Sequence, residues 1–180
     1  MDILTGLGLA IPAGLNAYIP LLAVAASQRM GFVELGEPYA LLGETWVIAL
    51  ITVLLVVEIV ADKVPAVDSI NDSIQTLIRP AAGGLLFVAS TNAGEWLPPA
   101  AYVVAGVFVA GGVHAVKTAA RPVVNAATGG AGGPVVSFAE DMAALIATII
   151  ALVAPILVIL TVAAVIFAAT RLRRARNRPA

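Results

Sequence analysis

The sequence predicts an all-α fold, a polytopic bundle of about five transmembrane helices, and its composition supports that prediction. Of the 180 residues, 61% are hydrophobic and 12% are charged, whereas a soluble domain has about 25% charged residues. Five of the ten basic residues lie within the last ten positions. This composition excludes a disordered chain, a water-soluble multi-domain enzyme and a nucleic-acid binder with a broad basic face.

Five hydrophobic segments are long enough, alone or with their neighbours, to cross a hydrocarbon layer of about 30 Å. The first is interrupted by Gly and Pro residues and the third has only a short apolar run, so one or two of the five are expected to be broken or re-entrant. The last segment is long enough to tilt or to kink at Pro155. The segments are residues 4–27, 46–64, 80–97, 98–120 and 138–169, and they form a single transmembrane domain over residues 1–170.

Two connecting stretches have patterns of their own. Between the second and third segments, apolar residues recur at helical spacing while Asp72 and Arg79 share the opposite side. This pattern predicts a short amphipathic helix at about 67–79 that either lies along the membrane interface or closes over the bundle. Residues 123–136 are Gly-rich, and no helix is expected there. That stretch is either a surface connection or a re-entrant element.

The Arg-rich tail, residues 171–180, favours a cytoplasmic C-terminus in the bacterial inner membrane. Five full crossings then put the N-terminus outside, whereas a segment that enters and leaves on the same side puts both termini in the cytoplasm. The sequence leaves both arrangements open. The tail arginines also predict contact with anionic lipid headgroups. The first apolar run has no basic stretch before it, so it is expected to be a retained helix rather than a signal peptide.

Ionisable side chains lie within these segments or at their ends, where each costs about 2.5 to 3.5 kcal/mol to insert. Glu58 and Asp62 share one face of the second segment, and His114, Lys117 and Arg121 form a basic stripe on the fourth. We expect the two stripes to face each other, with the glutamate against the lysine or the histidine. These pairs either hold the bundle together or line a polar pathway.

Five further residues complete the set of candidate pathway residues. Asn16 lies at the centre of the interrupted first segment. It belongs either to a broken helix that binds substrates or ions, or to a kinked helix in which the asparagine hydrogen-bonds a neighbour. Lys63 and Arg79 lie at segment ends, where interfacial anchoring is the alternative role, as it is for Arg121. Glu140 matches the acid of a capping box at the start of the last segment, which leaves Asp141 without a structural explanation.

Four stretches of the chain carry a family resemblance. They are GLNAYIPLL, EIVADKVPAVDSINDSIQTLIRPAAGGLL, HAVKTAARP and GGPVVSFAEDM. Together they resemble a domain-of-unknown-function family of small bacterial integral membrane proteins, over roughly residues 10 to 160. The most specific part is the signature Glu-x3-Asp-Lys-x-Pro followed by Arg79-Pro80. The resemblance implies a membrane protein with these elements and sites, and it names no activity or substrate.

Known intramembrane catalytic motifs are not matched by this sequence. The chain has no cysteine and one histidine, which argues against metal sites built from those residue types. The signatures of membrane metalloproteases, aspartyl proteases, serine proteases and lipid phosphatases do not occur. We therefore expect no enzymatic activity, no catalytic residue, no cofactor and no metal ion.

These observations predict a small permease or channel-like protein that moves an ion or a small polar solute through a charged intramembrane cavity. The alternative is a non-catalytic membrane scaffold or assembly factor, whose buried charges are structural ion pairs and whose tail binds anionic lipid or a cytoplasmic partner. A small-residue face at Gly106 and Ala110 predicts a homodimer, and no nucleic-acid partner is expected. The candidate pathway residues are Asn16, Glu58, Asp62, Lys63, Arg79, His114, Lys117, Arg121, Glu140 and Asp141.

Overall fold

The computed structural model is all-α over the part of the chain that it describes. The described residues are 2–63, 65–91, 97–129 and 132–155, together with Leu157, Phe167 and Arg171. No strand occurs within these ranges. The helices they contain are α1 (Ile3–Ala13), α2 (Tyr18–Arg29), a 3-10 helix (Tyr39–Gly43), α3 (Thr45–Ala61), α4 (Pro65–Ser90), α5 (Pro99–Thr128) and α6 (Gly132–Val153).

The first hydrophobic segment is broken between α1 and α2, as the sequence predicts. α1 contains Pro12 in its last turn and gives way to an irregular stretch at residues 14–17. The Asn16 side chain accepts hydrogen bonds from the backbone N–H groups of Tyr18 and Ile19, at 3.0 and 3.2 Å. These N–H groups have no partner within the helix, so the asparagine caps α2 and stabilises the break.

The predicted amphipathic helix and the third segment form one continuous helix, α4, so the predicted boundary at Pro80 is wrong. α4 has 26 residues, which corresponds to about 39 Å. Asp72 and Arg79 on the polar side of its first half are buried, while Leu77 on the apolar side is 78% exposed. The polar side turns inward because oppositely charged side chains on other helices pair with it. Residues 92–96, at the end of the predicted third segment, lie outside the described residues.

The Gly-rich stretch at residues 123–136 is largely helical, contrary to the prediction. α5 continues through Pro122 to Thr128. It ends at Gly129, whose φ of 61° is the left-handed conformation that commonly terminates helices. α6 then begins at Gly132. Proline removes one helical hydrogen bond, and α5 continues past Pro122 although most side chains of residues 122–128 are exposed.

Both ends of α6 differ from the predicted last segment, residues 138–169. Because α6 begins at Gly132, Glu140 lies in its third turn, and the predicted capping box does not form. The helix ends at Val153, two residues before Pro155, which cannot donate a helical hydrogen bond. Beyond Pro155, only Leu157, Phe167 and Arg171 are described, and the other residues of the predicted segment and of the Arg-rich tail lie outside the described residues.

α4 packs against α5 through facing small residues. Gly83 and Gly84 of α4 lie against Gly106 of α5, where an added Cβ would overlap the Gly83 backbone. Ala110, one turn further along α5, is fully buried against Gly14 and Gly83. The small-residue face predicted to form a homodimer is therefore occupied within the chain.

By length and composition, α5 and α6 are long and apolar enough to cross a membrane, while α1 and α3 are apolar but shorter. Complete crossing by all five predicted segments is not confirmed and stays a prediction. α1 contacts α4, α5 and α6 and lies near the centre of the bundle. Large apolar side chains point outward from the longer helices, with Phe108 75% exposed and Val153 78% exposed.

Candidate functional site

Charged side chains from α3, α4, α5 and α6, and from the two residues that follow α3, meet in the interior beside the break between α1 and α2. We call this group the charge cluster. Eight of its members are connected by contacts of 4.0 Å or less between oppositely charged groups, or by hydrogen bonds. The ninth and tenth, Lys63 and Asp141, pair with each other and meet the rest at the break, where Asn16 bonds to Asp141 and Lys117 bonds to the Leu15 carbonyl oxygen. The charge cluster consists of Glu58, Asp62, Lys63, Asp72, Arg79, His114, Lys117, Arg121, Glu140 and Asp141.

Arg79 contacts four other members of the charge cluster and has no exposed surface. Its Nη2 donates a 2.9 Å hydrogen bond to Glu58 Oε1 and lies 3.8 Å from Asp62 Oδ2. Its Nη1 lies 3.7 Å from Asp72 Oδ1. One buried guanidinium therefore lies against three carboxylates from α4 and the C-terminal end of α3, and a buried arginine requires such partners.

The contacts of His114 determine which of its ring nitrogens carries the proton. Nδ1 lies 3.0 Å from Arg79 Nη1. Arginine is only a donor, so Nδ1 accepts this hydrogen bond and has no proton of its own. Nε2 lies 3.1 Å from Thr76 Oγ1, and that hydroxyl donates to the Asp72 carbonyl oxygen at 2.9 Å. The geometry therefore assigns a neutral imidazole with its proton on Nε2.

Asp62 and Glu140 pair with Lys117 and Arg121, the two buried cations of α5. Lys117 Nζ lies 3.1 Å from Glu140 Oε2 and 3.5 Å from Asp62 Oδ2. Arg121 Nη2 makes the corresponding contacts at 3.1 and 3.4 Å. Asp62 also accepts a 2.8 Å hydrogen bond from the Asn71 side chain. Glu140 is shared by two cations and Asp62 by three, because Arg79 also contacts Asp62. A change at one residue therefore alters the environment of several others.

The break between α1 and α2 is bonded directly to the charge cluster. Lys117 Nζ donates to the Leu15 carbonyl oxygen at 3.1 Å, so a cation lies just beyond the C-terminal end of α1. Asn16 Nδ2 donates to Asp141 Oδ1 at 2.9 Å. Asp141 Oδ2 in turn lies 3.6 Å from Lys63 Nζ. Backbone freed by the break is thus part of the polar site, as in the discontinuous helices of transporters.

Several buried polar atoms of this region have no hydrogen-bond partner among the described residues. They include Glu58 Oε2, Asp72 Oδ1, Gln75 Oε1 and Arg79 Nε. Buried polar atoms are nearly always satisfied, so unpartnered ones indicate a site for water, an ion or a ligand. The charge cluster holds five carboxylates and four cations, with His114 neutral, so its described groups have one negative charge in excess.

The structure brings all ten candidate pathway residues together, nine in the charge cluster and Asn16 bonded to it. The partner predicted for Glu58 is wrong, because Arg79 pairs with it instead of the lysine or the histidine of α5. Interfacial anchoring is also wrong for Arg79, which has no exposed surface, and for Arg121, which is 7% exposed and paired with carboxylates. Lys63 keeps 35% of its side chain exposed, so anchoring stays open for that residue.

Sequence reasoning did not include Asp72 and Gln75 among the candidates. Both are buried, at 8% and 2% exposure. They lie seven and four residues before Arg79 on the same side of α4, and this periodicity is visible in the sequence. The sequence leaves open whether this helix lies along the interface or closes over the bundle, because nothing in it states which side of an amphipathic helix faces its partners.

A separate cavity of about 490 Å³ lies at the edge of the charge cluster. It is bounded by α2, α3 and α6, and apolar side chains form most of its lining. Lys63 and Asp141 also line it, so the polar and apolar sites meet at this pair. Within the described residues, no group of three histidine, cysteine or acidic side chains is arranged to hold a metal ion.

The family model described as "Domain of unknown function (DUF4126)" matches residues 3–175. The chain belongs to this family. Membership confirms the resemblance drawn from the sequence, while the specific signature that ends at Pro80 stays a prediction. The match extends over all the helices described above, so the charge cluster lies within the family domain. No curated protein and no solved structure matches the chain.

Proposed function

We propose that this chain is an integral membrane protein that moves an ion or a small polar solute through the charge cluster, with a monovalent cation or a proton taking part. The membrane location is supported by the distribution of side chains. Charged residues such as Glu58 and Arg79 are buried, whereas large apolar side chains such as Phe108 are exposed. This arrangement is stable where lipid rather than water surrounds the helices.

The observation that carries the transport proposal is the contact between a broken helix and a charge cluster with one excess negative charge. Lys117 and Asn16 connect the break to the carboxylates. Glu58 Oε2 is buried and has no hydrogen-bond partner in the described part of the chain. The excess negative charge of the buried cluster is costly. A monovalent cation or a proton at the Glu58 carboxylate oxygen that does not bond to Arg79 removes that cost. The carboxylate is therefore the proposed point of cation or proton exchange.

We further propose a multi-pass protein of the bacterial inner membrane with a cytoplasmic C-terminus. The support is the concentration of arginine in residues 171–180, because short loops and tails rich in Lys and Arg remain in the cytoplasm. This tail is also the proposed contact with anionic lipid. A homodimer remains compatible with this proposal but needs a face other than the one that contains Gly106.

A membrane scaffold or assembly factor is the second candidate function. The observation that favours it is the extent of ion pairing: Arg79, Lys117 and Arg121 each contact at least two carboxylates. The scaffold function requires nothing more of this network than that it hold four helices in register. In that case removal of one charge lowers the stability of the protein and leaves no transport activity to lose.

Replacement of Glu58 by glutamine separates the two functions. The full chain is reconstituted in liposomes, and proton, sodium and potassium fluxes are measured separately with ion-sensitive dyes. We expect the natural chain to conduct at least one of these ions above empty liposomes, and Glu58→Gln to reduce that flux at least tenfold. The variant should remain as abundant in the membrane as the natural chain, because glutamine keeps the size and a hydrogen-bonding side chain.

Glu34→Gln is the matched control for this experiment. Glu34 lies in the exposed stretch between α2 and the 3-10 helix, so the same chemical change there should leave the flux unchanged. An absence of flux of all three cations, or a normal flux in Glu58→Gln, would reject the transport proposal. Loss of the Glu58→Gln protein from the membrane, with Glu34→Gln retained, would support the scaffold instead.

A further inference from the structure

The 490 Å³ cavity is a groove on the outside of α2, between α3 and α6. Ala23 and Ala26 of α2 form part of its floor, and their small size leaves the space open. Ile59 of α3 and Leu145 of α6 are among its walls. The volume is within the range of small-molecule sites, about 300 to 1,000 Å³. A groove with this lining accepts a hydrocarbon chain.

One end of the groove has a pair of opposite charges. Lys63 Nζ and Asp141 Oδ2 are 3.6 Å apart, which is beyond the usual hydrogen-bond distance. The lysine donates to the Ile59 carbonyl oxygen at 3.1 Å, and the aspartate accepts from Asn16 at 2.9 Å. An ammonium group has three donors and a carboxylate about four acceptor positions. Both groups therefore retain hydrogen-bonding capacity toward the groove.

The positions of these groups along the helices give the groove a polar end and an apolar end. α3 reaches the charged pair at its C-terminal end, and Leu55, eight residues before Lys63, lines the groove at about 12 Å from it. Along α6, Leu145 lies one turn beyond Asp141. A ligand that follows the groove thus meets both charges at one end and only apolar side chains along its length.

We propose that this groove binds a phospholipid with a zwitterionic head, its acyl chain in the groove, its phosphate on Lys63 and its primary ammonium on Asp141. An anionic amphiphile would satisfy the lysine but would meet the aspartate carboxylate. A quaternary ammonium has no N–H group to donate to that carboxylate. The head that complements both charges therefore contains a phosphate and a primary amine. This inference rests on the proposed membrane location and does not depend on transport.

The test measures lipid retention by the purified full chain with native mass spectrometry. Phosphatidylethanolamine, phosphatidylcholine and phosphatidylglycerol with identical acyl chains are added one at a time. We expect the phosphatidylethanolamine complex to be retained about tenfold more strongly than the other two, the effect of one charge-assisted hydrogen bond. Lys63→Gln should weaken the retention of all three lipids, because each has a phosphate that then lacks its cation. Asp141→Asn should remove most of the preference, because the primary ammonium then lacks its carboxylate.

Ala26→Phe places a ring in the groove and should abolish the preferential binding. Val116→Phe is its matched control, since Val116 is 72% exposed on α5 and does not line the groove. If Ala26→Phe does not fold, Ala23→Leu fills the same floor with a smaller change. Equal retention of the three lipids, unchanged selectivity in the filled variant, or no retained lipid would overturn the proposal. Normal lipid binding without ion flux would reject transport alone.

Discussion

Arg79 shows at the scale of one residue how the charge cluster depends on complete pairing. Its guanidinium has no exposed surface and lies against three carboxylates and the His114 ring. Removing one partner of a buried ion pair leaves the other charge uncompensated, which costs about 3 to 5 kcal/mol. Arg79 therefore affects both the stability of the protein and the proposed exchange of a cation or proton at the charge cluster.

Arg79→Gln should lower the free energy of unfolding by about 3 to 5 kcal/mol, because it leaves Glu58 and its neighbouring carboxylates without their cation. Adding Glu58→Gln to this variant should recover part of the loss, since one unpaired charge is then removed. Unfolding in detergent micelles measures both effects in a double-mutant cycle. Arg29→Gln, at an exposed position, should stay close to the natural chain. Equal losses in the single and double variants would contradict this coupling.

At the scale of the helices, the contact between α4 and α5 determines how the charged faces meet. Gly83 and Gly106 allow the two backbones to approach closely, and the polar side of α4 continues from this contact toward His114. Small residues serve this purpose in membrane helices. The close approach and the pairing of charges therefore belong to one interface.

Gly106→Ala should destabilise the chain by about 1 to 3 kcal/mol, because a Cβ there would lie 2.7 Å from the Gly83 carbonyl carbon. Gly112→Ala on the same helix is the control, since a Cβ at Gly112 has nothing within 4 Å. Alanine favours the helix over glycine by about 0.5 to 1 kcal/mol, so the control should be slightly stabilised. Thermal unfolding in micelles measures the difference. Equal effects of the two substitutions would contradict tight packing at this contact.

The distribution of exposed and buried side chains is the property of the whole molecule that bears on its surroundings. Exposed apolar side chains occur on α3, α4, α5 and α6, and the described charged groups of the cluster face inward. In water, this arrangement would expose apolar surface and bury charge at the same time, and both are unfavourable. In lipid, the apolar surface carries no such cost.

Phe108→Asp tests the lipid environment directly. Phe108 is 75% exposed near the middle of the predicted fourth segment, residues 98–120. An aspartate at the centre of a spanning segment should cost about 2.5 to 3.5 kcal/mol on insertion scales. We expect the membrane fraction of the protein, measured after alkaline extraction, to fall. Phe32→Asp is the control, since Phe32 is 78% exposed in a connection outside the helices. Unchanged membrane recovery of Phe108→Asp would contradict a lipid-facing α5.

Much of the candidate site was predictable because charge is scarce in this sequence. Glu58 and His114 stand out in apolar surroundings, and Asn16 stands out among the Gly and Pro residues of the first segment. Their partners were not predictable, since pairing depends on how helices distant in the chain are placed. Asp72 was missed for a related reason: the sequence shows that it lies on a polar side but not what that side faces.

The sequence by itself determined that the chain is helical, that its first segment is broken and that a few ionisable residues are candidates for function. These properties follow from local composition and periodicity, which can be recognised within a short stretch of the sequence. Only the tertiary structure decided that α4 is continuous through Pro80, that its polar side is buried and that Arg79 pairs with Glu58. The reason is physical: the cost of burying each charge is offset only by groups far away in the chain.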